Sequence, residues 1–398
     1  MDLRRIQEGL RRAQLDGWLF YDHHHRDPIA YRILGIAPAM CTRRWYYLIP
    51  AEGEPKKVVH RVEQAVLALL PGSQQVYASW IEQTSALRNI LKGKKRIAMQ
   101  YSALNANPYV GLVDAGTVEL VRQMGAEVVS SADLVQQFEA RWSKEALALH
   151  LEAGKAVHEI VRESFRMIRN AITQDRPLDE YGLQQEIVRL FAQHGIESEE
   201  PPIVAVNAHS GDPHYSPQPG TAFPIRENDF ILLDIWAKRR EPGAVYFDIT
   251  WTGFVGREVP RRYAEIFEVV RQARDTAVDL AQTALAFGRP VHGYEVDDAA
   301  RQVIIRHGYG DLFIHRTGHS IGEEVHGTGA NMDNFETHDE RLLIPGTCFS
   351  VEPGIYLRDF GVRSEVDVYV EEHGARVTGE SQQQIVPILA APQAGVLS

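Results

Sequence analysis

Val362-Arg-Ser-Glu-Val-Asp-Val-Tyr-Val370 sets charged or aromatic side chains against small and apolar ones at every second position. Period-two alternation predicts a strand with one apolar face. Valines 362, 366, 368 and 370 lie on that face, and Arg363, Glu365, Asp367 and Tyr369 share the other. The turn signal Arg358-Asp-Phe-Gly361 precedes it, and Cys348–Val351 reads as the outgoing arm of the same hairpin. An even loop there brings Glu352 and Glu365 to one face. A second pair of strands lies upstream, Phe230–Ile235 and Val245–Phe254, around Arg-Glu-Pro-Gly at 240–243. Asp248 shares a face with Thr250 and Thr252, while Phe247, Ile249 and Trp251 face away. Asp234 has Phe230, Leu232 and Trp236 on its own face, so its strand is apolar on both sides and buried. With the midpoint at position 241 the two aspartates fall opposite each other, which requires an odd loop or a bulge.

Two hairpins each presenting two acids inward build a floor of four carboxylates. Such a floor repels itself unless cations sit among the charges, and an unpaired buried carboxylate costs several kcal/mol or more. His319, in the glycine-punctuated segment Arg316-Thr-Gly-His-Ser-Ile-Gly-Glu-Glu-Val-His326, adds one imidazole. Asp234, Asp248, His319, Glu352 and Glu365 are thus the candidate metal ligands. Carboxylates with one imidazole suit Mn, Co, Fe or Zn better than the all-oxygen shells of Ca or Mg. Two such ions about 3.5–4 Å apart lower the pKa of a shared water and polarise a carbonyl, the apparatus of amide hydrolysis.

The hairpins sit in a repeated scheme. Helical periodicity predicts helices over Ala146–Ile172 and Leu178–His194, the latter stopped by Gly195, before the first strand set, which includes Ile203–Val206. Helices over Arg261–Ala286 and Tyr294–His307, stopped by Gly308, precede the second. Two helices and a strand pair, twice over, form a duplicated unit by element order. The first part of the chain alternates shorter elements: a helix from Leu3, strands at Trp18–Tyr21, Trp45–Ile49, Lys57–His60, Arg96–Met99 and Glu127–Val129, and a helical window over Val110–Met124. We therefore expect an α/β scaffold or oligomerisation domain over residues 1–141 and an α+β domain over 142–398.

With 398 residues and a formal charge of −11, the chain has no basic footprint, so nucleic acid is not an expected partner. Two cysteines, Cys41 and Cys348, argue for a reducing compartment. No signal-peptide pattern and no membrane-spanning run is present, so a cytoplasmic location without membrane association is expected. His158-Glu159 opens a zincin-like pattern, but Arg162 holds the place of the second histidine. Gly327-Thr-Gly329 lacks the strand–helix context of a dinucleotide loop, and no Gly-x-Ser-x-Gly elbow occurs.

Pro213-His-Tyr215, Leu232-Leu-Asp234, Phe247-Asp-Ile-Thr250, Thr317-Gly-His319 through Val325-His326, Val351-Glu-Pro-Gly354 and Gly361-Val-Arg-Ser-Glu365 together resemble the pita-bread metallopeptidases, over roughly residues 145–380. The preceding domain resembles the creatinase-type N-terminal domain of the Xaa-Pro-cleaving branch. The resemblance implies a pita-bread fold with a pseudo-twofold duplicated unit. It implies two divalent ions per chain, Mn(II) first among Mn, Co, Zn and Fe, with Asp234 on one, His319 and Glu352 on the other, and Asp248 and Glu365 bridging. Glu352 would shuttle the proton. His214, His315 and His326 would contact substrate or the oxyanion, and Arg363 would fork onto a carboxylate of protein or substrate. The implied activity is Xaa-Pro dipeptidase on small peptides, with Xaa-Pro aminopeptidase as the alternative. A metal-free creatinase-like amidinohydrolase and a non-catalytic binding protein rank below both, and a homodimer is the expected assembly. Trp236, Trp251, a first hairpin three residues longer than is usual, and an insertion around Asn331–Asp339 depart from the family pattern, with effects expected at the rim of the site.

Overall fold

The computed structural model describes residues 1–37 and 40–391. They divide into two compact units, Met1–Ala140 and Arg141–Ser398. The first unit is built on strands β1 (Gly17–Asp22), β2 (Trp45–Pro50), β3 (Lys56–His60), β4 (Ser73–Tyr77), β5 (Arg96–Met99) and β6 (Glu127–Ser130), in the order β4-β3-β2-β1-β5-β6. β1 pairs antiparallel with β2 and parallel with β5. Every residue of β1 and β2 is buried, as expected of central strands covered on both faces. β4, Ser-Gln-Gln-Val-Tyr, has no apolar alternation because it is an edge strand, largely exposed, and was not expected from the sequence. The helix foreseen over Val110–Met124 starts only at Ala115. Asp114 caps it by accepting the Thr117 N–H at 2.9 Å, which fixes the first turn there.

The second unit opens with helices Lys144–Thr173 and Glu180–His194, the latter ended by Gly195 at φ +66°. Strands β7 (Ile196–Glu197), β8 (Ile203–Val206), β9 (Phe230–Arg239) and β10 (Phe247–Phe254) follow, then helices Arg261–Ala286 and Gly293–Arg306. The rest is β11 (Ser320–Ile321), β12 (Cys348–Val351), β13 (Gly354–Tyr356), β14 (Gly361–Arg363), β15 (Val366–Glu371), β16 (Gly374–Val377) and β17 (Val386–Pro387). One sheet runs β17-β10-β9-β7 with β8 paired to β9, another runs β11-β12-β15-β16, and β13-β14 form a separate hairpin. Each half thus carries two helices and a strand pair, the duplicated α+β pattern of the pita-bread fold.

β9 explains its own composition. Ile231, Leu233 and Ile235 pack into a core with the first pair of helices, while Phe230 and Leu232 pack into a second core with the other pair. Asp234 lies on the second of these faces, among apolar neighbours, as its position in the alternation requires. Burial on that scale, at about 25 cal/mol per Å² of apolar surface, makes the strand a rigid platform for any side chain it carries. No helix among the described residues is long and apolar enough to cross a membrane.

Candidate metal centre

The β9–β10 ladder sets the geometry of the first two acids. Asp234 pairs with Thr250, and Asp248 pairs with Trp236. The aspartates are therefore diagonal on one face, about 7 Å apart, rather than directly opposite as the midpoint at 241 implied. The last pair, Ala237 with Phe247, centres the connection on position 242, and the odd number of intervening residues keeps both acids on the same side. Each is buried, Asp234 at 8% and Asp248 at 4% exposure.

The second hairpin corrects the single strand foreseen over 362–370. Val351 pairs with Val366 and Gly354 with Arg363, one register closed by Arg358–Asp359 with the Leu357 N–H donating to the Phe360 carbonyl at 2.9 Å. The ladder is broken between these pairs, where Glu352-Pro353 faces Ser364-Glu365. Pro353 has no N–H to give. The Glu352 N–H goes to the Thr317 carbonyl at 2.8 Å, and the Glu365 N–H to the Thr250 carbonyl at 3.4 Å. Both glutamates sit at the break, where the backbone ties the hairpin to its neighbours.

His319 is held by Ser350, whose hydroxyl accepts the His319 N–H at 3.0 Å and whose N–H donates to the His319 carbonyl at 2.8 Å. A Cβ at Gly318 would fall 1.9 Å from the Ser350 carbonyl oxygen, so only glycine permits this approach. Nδ1 of His319 faces the Ser320 carbonyl at 3.2 Å. With the proton placed there, Nε2 offers its lone pair to the acids, 3.7 Å from Asp248 Oδ2 and 3.5 Å from Glu352 Oε1.

Donor atoms of Asp248, His319 and Glu365 all lie within 4.8 Å of one another. Glu352 joins them through His319. Asp234 is turned to Arg363, whose Nη2 lies 2.5 Å from its Oδ2. Arg363 also donates Nη1 to the Tyr356 hydroxyl and Nε to the Thr250 hydroxyl, each at 3.0 Å. The Thr250 hydroxyl donates in turn to Glu365 Oε2 at 2.8 Å. Burial drives the electrostatics first and the neighbours second. It raises Asp248 and Glu365 far above the usual carboxylate range, reinforced by Asp234 on the former and Asp248 on the latter. It raises Glu352 to about 7 and raises Asp234, against the pull of Arg363 on both. Burial first, and the neighbouring His326 imidazole second, push His319 well below its normal value.

The residues present fit divalent cations. Oδ1 of Asp234 and Oδ1 of Asp248 are buried with no hydrogen-bond partner among the described residues. A buried carboxylate oxygen left without a donor is costly, and a cation satisfies it.

The other site candidates lie around this group. His326 meets His319 edge-on, ring centroids 4.4 Å apart. His315 accepts the Tyr356 hydroxyl at Nε2 (2.7 Å) and gives Nδ1 to the Arg316 carbonyl (2.7 Å). Burial first, and the Arg363 charge second, lower His315 to about 3. Burial first, with Arg316 and His214 following, lowers His326 to about 4, so both rings are neutral near pH 7. His214 is exposed on its turn, near Asp234 and His326. Trp236 is half-buried against Tyr246, Ile321 and Cys348, and Trp251 is buried on the face away from the acids. In the Asn331–Asp339 segment, Asn331, Asp333 and Asp339 are buried, and Asp333 caps the turn that leaves Phe335 exposed.

Sequence reasoning missed several groups that hold this arrangement. Asp297 and Arg301 are an i,i+4 helix pair in which Asp297 is fully buried and accepts the Thr317 N–H and hydroxyl at 2.9 and 2.6 Å. Arg301 donates to the carbonyls of Phe313 and His315. Asp367, noted only for its face, accepts the Asp248 N–H at 2.8 Å and joins the two hairpins. Tyr356 carried no signal beyond its place after Val351-Glu-Pro-Gly354.

A family model of metallopeptidase family M24 matches residues 148–372. The Xaa-Pro dipeptidase of Lactobacillus delbrueckii subsp. lactis is 30% identical over 215 residues, 54% of this chain and 53% of that protein. The Xaa-Pro dipeptidase of Pyrococcus furiosus is 32% identical over 167 residues, 41% of this chain and 43% of that protein. The match thus spans about half the length of these curated relatives. The crystal structure of dipeptidase PepE from Mycobacterium ulcerans has the same fold, with a TM-score of 0.70 at 22% identity over 96% of each chain.

Proposed function

The chain belongs to metallopeptidase family M24, and on that premise we propose that it is a dinuclear-metal exopeptidase that hydrolyses the bond after the N-terminal residue of Xaa-Pro dipeptides. The observation that carries this reading is the convergence of buried Asp248, His319 and Glu365, with half-buried Glu352 against His319, buried Asp234 on the same strand pair, and Oδ1 of both aspartates unpartnered among the described residues. Asp234 would serve one ion, His319 and Glu352 the other, and Asp248 and Glu365 both. Divalent ions of the manganese class held there supply Lewis acidity and a water of lowered pKa.

The chain's own side chains divide the remaining work. Glu352 takes the proton of the attacking water and returns it to the leaving amine. The neutral imidazoles of His315 and His326 stand beside the acids, where they orient the substrate and bear on the oxygen that gains charge. His214, exposed on its turn, contacts the substrate. Arg363 holds Asp234 and Tyr356 in register while its charge offsets part of the acidic floor. The relatives named Xaa-Pro dipeptidase support proline after the scissile bond.

The test is hydrolysis of Ala-Pro, Ala-Ala, Ala-Pro-Xaa and longer peptides in manganese-supplemented buffer, with elemental analysis of the purified protein. Two ions per chain and fastest turnover of Ala-Pro are expected. Preference for the longer peptides would make the activity that of an Xaa-Pro aminopeptidase, and undiminished turnover in chelator would overturn the reading.

A further inference from the structure

We infer that Glu180 is a positioning residue for His214, acting on the substrate side of the site and not on the metal side. The inference rests on the function proposed above. Glu180 follows the N-cap Asp179 at the first position of the helix Glu180–His194. An acid there is ordinarily a solvated partner of the helix dipole, but this one is fully buried. Its carboxylate is saturated by donors from a single stretch of chain. Oε1 accepts the Val206 N–H at 2.7 Å, and Oε2 accepts the Tyr215 hydroxyl at 2.7 Å and the Phe223 N–H at 2.6 Å. His209 Nδ1 reaches both oxygens at 2.9 Å.

These donors bracket His214. The His209 ring stacks on Tyr215 and on Phe223, with centroids 4.1 and 3.6 Å apart, so three rings and one carboxylate form a closed unit. Tyr215, next to His214, is tied at its hydroxyl, and the His214 N–H is held by Asp212 Oδ1 at 3.1 Å. The loop is fixed on its other side by the second hairpin. Ser210 Oγ accepts the Gly361 N–H at 2.9 Å, and the Ser210 carbonyl oxygen lies where a Cβ on Gly361 would be only 2.1 Å away. His214 is exposed on this turn, so its placement depends on the frame beneath it. A glutamine at 180 keeps the size but replaces one acceptor oxygen by an amide that opposes backbone N–H donors. The loop loses part of its anchor while the acids on β9, β10 and the second hairpin stay in place.

The experiment is a double-mutant cycle on Ala-Pro hydrolysis with E180Q, H214A and the double variant, at matched metal content. E180Q is expected to lower kcat/KM roughly 10- to 100-fold with metal stoichiometry unchanged, and to add less than about twofold in the H214A background. Effects that multiply in the double variant, or loss of an ion in E180Q, would overturn the inference. Y215F, which keeps the ring stack and loses one donor, answers the same question if E180Q fails to fold. Histidine ring NMR of E180Q or Y215F provides a readout independent of substrate. The His214 signal, identified by its loss in H214Q, should shift relative to the parent, and an unmoved signal would refute the inference. If no variant, parent included, cleaves dipeptides, the proposed function fails, and the NMR still decides this point.

Discussion

Replacing Asp297 with asparagine would remove the charge on which the His315–His319 segment is hung. The carboxylate takes two donors of Arg301 at 2.9 Å each, the Thr317 N–H and hydroxyl, and the Asn334 N–H at 3.2 Å. Arg301 is itself sandwiched between Phe313 and Phe335, 4.1 and 4.3 Å from their ring centroids. An Asn amide placed on the Oδ2 side would point at Arg301 Nε and the Asn334 N–H, donor against donor. Breaking a buried ion pair at one partner costs about 3–5 kcal/mol. Arg301 keeps its two carbonyls and both rings, so the lower figure, about 3 kcal/mol, applies. For a unit of this size that corresponds to a fall in Tm of roughly 6–10 °C. Thr317 lies two residues before His319, so the looser segment also weakens the imidazole's aim. Loss of such outer partners typically costs 10- to 100-fold in metal affinity. Calorimetry in chelator gives the first number and titration with Co(II), read by its absorption bands, gives the second, with Asp298→Asn as the control next along the helix. A D297N protein that melts within about 2 °C of the parent and binds Co(II) equally well would refute the reasoning.

Arg363→Lys should keep the charge but lose the three-way fork onto Asp234, Thr250 and Tyr356. We expect a loss of about 3 kcal/mol, or roughly 100-fold in kcat/KM on Ala-Pro at matched metal content, and a change under threefold would contradict it. Gly318→Ala pushes a Cβ to 1.9 Å from the Ser350 carbonyl oxygen, so the backbone must part. Destabilisation of about 3 kcal/mol or more is expected, with loss of Co(II) binding, and an unchanged melt would show that the strands separate freely. His158 is buried and its Nε2 accepts the Glu380 N–H at 3.0 Å; burial above all lowers it to about 4. Between about pH 4 and the unfolded value near 6.5 the unfolded chain binds more protons, so this group makes stability rise with pH through that window. The raised carboxylates of the centre carry the opposite sign, so the contribution is read as the difference between parent and H158Q. That difference should shift against the parent by roughly 3 kcal/mol as pH falls from 6.5 to 4, and a pH-independent difference would contradict it.

Local sequence was sufficient wherever a residue's neighbours in the chain are also its environment. The helix Arg261–Ala286 and the strands Ile203–Val206 and Cys348–Val351 occur with the limits their periodicity indicates. The two-residue turn at Arg358–Asp359 likewise follows from an even spacing. Local reading stopped where partners are remote. β4 is polar because it is an edge strand. The offset of Asp234 from Asp248 depends on one residue of hairpin centring, a difference smaller than turn signals resolve. The break opposite Pro353 draws its hydrogen bonds from Thr250 and Thr317, which belong to other elements.

The order and types of the acids and His319, the two-residue period that turns them inward, and the doubled helix-and-strand plan were all present in the chain itself, because each depends on contacts a few residues apart. Which atoms of those acids meet, why Asp234 rests on Arg363, and how Glu180, Asp297 and Asp367 come to be buried arose only on folding. A carboxylate at a helix start looks the same in sequence whether it faces water or a loop dozens of residues away. Only the packed structure removes the water and so makes the choice.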